Sequence, residues 1–143
     1  MPQGFYTNFK DGLHFSNHAL FSDRSKIPLR IQLFYDGMGS TNPLRGHTAP
    51  HNVGMFYFTI QNLPKHFQTC NENVFLLAIS YAADIKKYLG FDTILSRFMS
   101  DIKILETDGI VVNIPGRGDV NIFGSLSQFS GDCLAMNEIF GLV

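Results

Sequence analysis

The chain has no tryptophan, only two cysteines and few charges, and each shortage excludes something. Charged residues make up 16% of the 143 and the formal net charge is −1. No basic field draws such a protein onto nucleic acid, so any polyanion contact has to be local. The eleven lysines and arginines are scattered, with Lys86-Lys87 the only adjacent pair. Cys70 and Cys133 stand far apart without metal-ligand spacing, which speaks against a disulfide-stapled or zinc-held scaffold and for two reduced, buried thiols. The longest apolar stretches, Val53 to Ile60 and Val74 to Ile79, fall far short of a membrane span. Met1 to Phe15 lacks the basic start and continuous apolar centre of a secretory signal. The chain therefore reads as nuclear or cytoplasmic, not secreted and not membrane-inserted.

What is present is hydrophobic: 45% of the residues, including 14 phenylalanines. A chain of this length and composition folds as one domain and buries about 70% of the surface its unfolded form exposes. Residues 1–28 are polar and aromatic, with turns expected at Lys10-Asp11-Gly12 and Ser22-Asp23, and read as an extended or loop-rich lead-in to a domain at 29–143.

The domain opens with Ile31 to Leu44, IQLFYDGMGSTNPL. Alternation sets Ile31, Leu33 and Tyr35 on one face and Gln32, Phe34 and Asp36 on the other. Apolar residues on both faces suggest a central strand that delivers Asp36 onto a Gly- and Pro-punctuated loop, the place where open α/β sheets bind ligands and metals. The competing reading is that Asp36-Gly37 is a type I′ hairpin turn. Val53 to Ile60 and Asn73 to Ser80 are aromatic and β-branched enough for two further strands, the first ended by Asn62-Leu63-Pro64. Phe91 to Gly109 is a helix: Ile94, Leu95, Phe98, Met99, Ile102 and Leu105 form one apolar stripe, Asp92 stands at its start and Gly109 at its end. Ile110 to Ile114 alternates as a short strand, which Pro115 to Asp119 turns back into a longer segment, Val120 to Gly131. That segment ends at a second acid, Asp132, positioned to cap a weakly helical stretch from Cys133 to Gly141.

The order is strand with Asp, strand, strand, helix, strand with Asp, helix, which is the order of the first two-thirds of an RNase H-like fold. A mixed α/β sheet flanked by helices is the expectation, incomplete at its C-terminal end. In that fold the first and fourth strands are parallel neighbours, so Asp36 and Asp132 converge across 132 − 36 = 96 residues. Two close carboxylates repel, and divalent ions relieve the repulsion while activating an oxygen nucleophile for attack on phosphorus. Hard oxygen ligands favour Mg²⁺ or Mn²⁺.

Several strings share an order with a known family: Asp36-Gly37, Asn42-Pro43-Leu44, Asn62-Leu63-Pro64, Asn73-Val74-Phe75-Leu76-Leu77, Leu105-Glu106-Thr107-Asp108-Gly109-Ile110 and Gly131-Asp132-Cys133-Leu134-Ala135. Together they resemble the catalytic domain of CACTA (En/Spm)-like DNA transposases and their animal relatives, from about Leu29 onward. The resemblance implies cleavage and joining of DNA through an acidic triad, with Asp36 and Asp132 as two catalytic and metal-binding members. It also implies Mg²⁺ or Mn²⁺ as cofactor and DNA as partner, and leaves homo-oligomerisation open. The third acid and the cysteine-rich segment expected beyond the second acid have no counterpart, so the chain reads as a fragment or decayed copy. Weak metal binding and inactivity alone are expected, with an unpaired edge and apolar surface around Val120 to Ser130. The rival is a transposon-derived interaction module that binds protein or DNA without catalysis.

Other candidates have plainer readings. Glu138, six residues after Asp132, is a solvated helix charge rather than a replacement acid. Arg117-Gly118-Asp119 is turn chemistry at a hairpin tip, not an adhesion signal. His14 and His18 share a helical metal spacing with His47 and His51, but Pro50 breaks the second pair and no acid or cysteine supports the first, so these and His66 read as surface or packing residues. The loop Gly37 to Gly46 lacks the Gly-Lys-Ser/Thr ending of a phosphate-binding loop. No Ser-His-Asp or Cys-His set assembles at short range, and Cys133 reads as a buried small hydrophobe.

Overall fold

Strand β1 (Leu29–Gly39) is the hub of the domain, because Ile31, Leu33 and Tyr35 are buried on one face while Arg30, Gln32, Phe34 and Asp36 alternate onto the other. The computed structural model describes residues 9–23, 25, 26, 28–39, 52–68, 70–85 and 90–141. Outside these lie Asn42-Pro43-Leu44, most of the Gly37–Gly46 loop, His47, His51 and Lys86-Lys87; the side chain of Glu138 is likewise outside. Among the described residues no helix is long and apolar enough to cross a membrane.

Strand β2 (Asn52–Ile60) runs antiparallel to β1, and β3 (Val74–Tyr81) antiparallel to β2. On the other side of β1 lies β6 (Gly124–Gly131), parallel to it, giving the order β3-β2-β1-β6 in one mixed sheet. The parallel pairing expected between Ile31–Tyr35 and part of 120–130 is thus present, from Leu29 opposite Gly124 to Tyr35 opposite Gly131. A register shift lies beside Ile31, where Ser127 Oγ donates to the Ile31 carbonyl at 2.9 Å.

Helix α5 (Gly90–Thr107) packs the inner face through Phe98 and Ile102 against Ile31 and Leu33. A second cluster joins Tyr35 and Phe56 to Ile85, which follows the short turn α4 (Ala82–Asp84), with Ile139 of α6 (Cys133–Ile139) packed against it. Both longer helices therefore cover the same face. Gly109, at φ 71°, ends the helix, a left-handed conformation that glycine adopts without a Cβ penalty. Gly54 serves close packing instead: a Cβ there would stand 2.8 Å from Tyr35 Oη and 2.9 Å from Ile85 Cδ1.

Three expectations need correction. Among its described residues the lead-in is neither extended nor only loop: a 3-10 turn (Phe9–Asp11) stands where the Lys10-Asp11-Gly12 turn was expected, and α1 (Leu13–Asn17) and α2 (Ala19–Ser22) follow it, with Leu20 and Phe21 buried. Phe21 contacts Phe9, Phe15, His14 and His18, and this aromatic packing holds turns too short to persist alone. The segment 120–131 is two strands, not one: β5 (Gly118–Ile122) pairs with β4 (Ile110–Ile114) in a separate hairpin, and β6 starts at Gly124. Asp36-Gly37 is neither loop nor turn, since β1 continues to Gly39 with Asp36 opposite Met55 and Gly37 opposite Gly54.

Strand β6 is an edge, as expected, but the main exposed apolar surface sits on the other edge, where Val74, Leu76, Ile79 and Tyr81 of β3 are 45–62% exposed.

Candidate functional site

Two acids lie just past the last registered pair of the parallel strands. The last registered partners are Tyr35 and Gly131, so Asp36, inside β1, and Asp132, just past the end of β6, are each the next residue in the chain. Both are exposed. Tyr35 is buried against Phe56, and by alternation Asp36 stands on the opposite face, with Gln32 and Phe34. Asp132 immediately precedes α6, and its carbonyl accepts the Met136 N–H at 2.9 Å, the backbone signature of a helix start. Gly131 permits this approach, since a Cβ there would lie 2.9 Å from Met136 Sδ.

Two carboxylates in water suit a hard ion such as Mg²⁺ or Mn²⁺, which takes one or two protein carboxylates and fills its remaining positions with water or ligand oxygens. Among the described residues no group of three His, Cys, Asp or Glu side chains is arranged to hold a metal.

No family model, curated protein or solved structure matches the chain. The site has to be judged on its own geometry.

Other sequence candidates resolve simply. Asp119 Oδ1 accepts from Asn113 Nδ2 at 2.6 Å across the β4–β5 hairpin, a cross-strand contact beside the turn. The rings of His14 and His18 touch edge-on at 5.3 Å inside the N-terminal aromatic cluster, and His66 packs on Phe67. The cysteines correct an expectation: Cys133 is exposed, and Cys70 is half-buried with its thiol donating to the His66 carbonyl at 3.1 Å. Both are free thiols.

One constellation was invisible in short-range spacing. Ser125, 1% exposed at the start of β6, donates its hydroxyl to Glu106 Oε1 near the end of α5. His18 Nε2 lies 3.3 Å from Ser125 Oγ and 3.5 Å from Glu106 Oε1. A serine, a histidine and an acid within bonding distance invite comparison with a hydrolase triad, but the connectivity is wrong. In a triad the acid holds Nδ1 and leaves Nε2 for the serine. Here both partners crowd Nε2, while Nδ1 is buried without a partner. The serine is also sealed from solvent, so the set is a clamp that ties the N-terminal turns to α5 and β6.

The outward face of β1 holds a second polar group. Gln32 Nε2 donates to Ser130 Oγ at 2.9 Å, Gln61 donates to Gln32 Oε1, and Gln128 Nε2 donates to Ser130 Oγ at 3.1 Å. Beside this amide floor Phe34 and Tyr57 stack with centroids 5.0 Å apart and planes 6° from parallel. A cleft of about 620 Å³ opens here, lined by Arg30, Gln32, Phe34, Gln61, Lys65 and Gln128 among others.

Proposed function

We propose that this domain is RNase H-like and belongs with the catalytic cores of CACTA-type DNA transposases, with Asp36 and Asp132 as two carboxylates of a divalent-ion site for phosphodiester chemistry. The observation that supports the reading is the parallel β1–β6 register, which ends at Tyr35 and Gly131 and leaves both acids as neighbours. The order β3-β2-β1-β6, with the long helix between β3 and β6 in the chain, is the further support. A bound Mg²⁺ or Mn²⁺ would supply charge neutralisation and an activated oxygen nucleophile. The protein's own part is to hold two exposed carboxylates, Asp36 within β1 and Asp132 just past β6, where mutual repulsion would favour a cation. With a partial ligand set, we expect weak affinity and no strand transfer by this chain alone.

The test is an NMR titration with Mg²⁺ and, separately, Mn²⁺. Signals around Asp36 and Asp132 should respond together, and Asp36→Asn should abolish the response at Asp132. Independent responses would sink the shared site. They would favour the second reading, a transposon-derived interaction module.

A further inference from the structure

The even residues of β1 form a row on one face of the sheet: Arg30, Gln32, Phe34, Asp36. At its amino-terminal end Arg30 is shared by two clefts. One is the amide-floored cleft already described, which also carries Lys65. The other, of about 310 Å³, is lined by Lys10, Lys26, Asp23 and Asn62 beside it. Four of the seven lysines and arginines among the described residues thus gather at one end of a chain whose net charge is −1. Asp23 stands 3.8 Å from Lys26.

Arg30 is the unusual member. Its guanidinium lies over the Phe9 ring at 5.4 Å, Nε is buried with no hydrogen-bond partner, and no carboxylate pairs with it among the described residues. Burial pushes it below its ordinary value, the mark of a cation partly stripped of water and given no anion in return. Further along the row, the amide network leaves Gln61 Oε1 and one amide hydrogen each of Gln32 and Gln128 unengaged among the described residues. The half-exposed Phe34–Tyr57 stack follows.

Cations at one end, amide donors and acceptors in the middle and an aromatic platform beyond them match the parts of a single strand of nucleic acid: phosphates, base edges and base faces. We propose that the outward face of β1 binds single-stranded DNA, with phosphates at Arg30 and Lys65, bases over the glutamines and the Phe34–Tyr57 platform, and the strand running toward Asp36. From Arg30 to Asp36 is about 20 Å at 3.3 Å per residue, room for roughly four to six nucleotides. The choice of DNA, and the direction toward Asp36, rest on the proposed function; the binding surface itself needs neither carboxylate.

The experiment is fluorescence anisotropy of a labelled deoxythymidine strand of about twelve nucleotides, in EDTA, so that it stands apart from the metal titration. Saturable binding in the micromolar range that weakens with added salt is expected. Phe34→Leu should weaken it about fivefold or more, the loss of a good stacking surface. Lys65→Glu, at an exposed position that leaves the fold intact, should weaken it about tenfold. Arg97→Glu, on the exposed side of α5, should change it less than twofold. No saturable binding, or equal losses for Lys65→Glu and Arg97→Glu, would overturn the proposal. Tighter binding of the matching uridine strand would overturn the assignment to DNA. If the DNA strand binds in EDTA while the carboxylates ignore Mg²⁺, the metal reading fails and this one stands.

Discussion

Leu33 offers the sharpest check on which face of the sheet is the core. It is fully buried on the central strand, packed with Ile31, Phe98 and Ile102, with Phe58 and Phe129 around them. Leu33→Ala removes a branched side chain from a site that collapses poorly, since β1 is hydrogen-bonded on both sides and Phe98 and Ile102 are fixed on one helix. Such truncations cost about 2–5 kcal/mol, the upper half applying where the walls cannot move. A loss of about 3–4 kcal/mol is therefore expected, a large part of the ~5–15 kcal/mol that holds a typical domain folded. For a chain this long that corresponds to a fall in Tm of about 10 °C or more. The control is Leu76→Ala on the opposite face, where the side chain is 62% exposed and the change should stay within about 0.5 kcal/mol. Urea unfolding followed by circular dichroism measures both, and an unchanged m-value shows that the denatured state has not moved. A loss under about 1 kcal/mol at Leu33, or an equal loss at Leu76, would refute the one-sided core.

Two further outcomes follow from local geometry. Gly54→Ala should cost about 1–3 kcal/mol by thermal unfolding, because the new methyl meets Tyr35 Oη and Ile85 Cδ1 in a packed cluster; a neutral result would mean that Tyr35 moves freely. The Asp23 carboxyl should titrate below its ordinary value, held down first by hydrogen bonds from the Ser25 hydroxyl and N–H and then by Lys26. Its stabilising share is present above the unfolded carboxylate range of about 3.9 and is lost as pH falls through the lower folded value. Carboxyl-carbon NMR should show Ser25→Ala raising that value, and no change would sever the link.

Much of the sheet was legible from sequence because burial imposes periodicity. Ile31, Leu33 and Tyr35 of β1 and Ile94, Leu95, Phe98, Ile102 and Leu105 of the α5 stripe face the core as their spacing implies, whereas Met99, read into the same stripe, is 44% exposed. The turn at Lys10-Asp11-Gly12 was legible, but α1 and α2 were not: Gly12 and His18 precede them without a side-chain capping bond, and aromatic packing rather than local signal holds them. The break at Phe123-Gly124 was hidden as well. It depends on a close tertiary contact, since a Cβ on Gly124 would fall 2.8 Å from Leu105 Cδ2. The extension of β1 through two glycines escaped because pairing with β2 overrides their weak strand preference. At the site, the parallel pairing that sets Asp36 and Asp132 just past Tyr35 and Gly131 could be read from the element order. The Ser125, His18 and Glu106 clamp could not, because its members come from three elements, with Ser125 and His18 107 residues apart. Nor could the exposure of Cys133, which depends on how α6 sits rather than on its own chemistry.

The two partners of β1 are reached on different timescales. Pairing with β2 is local, but joining Tyr35 to Gly131 closes a loop of 131 − 35 = 96 residues, at an entropic cost of about 4 kcal/mol that only the finished contacts offset. The β1–β2–β3 meander is therefore expected to form first, with β6 docking late, after α5 covers the inner face. An edge strand acquired last is also the first to peel away in native-state fluctuations. Amide hydrogens on β6 should then exchange sooner than those on β2, and each such opening separates Asp36 from Asp132 while leaving most of the sheet standing.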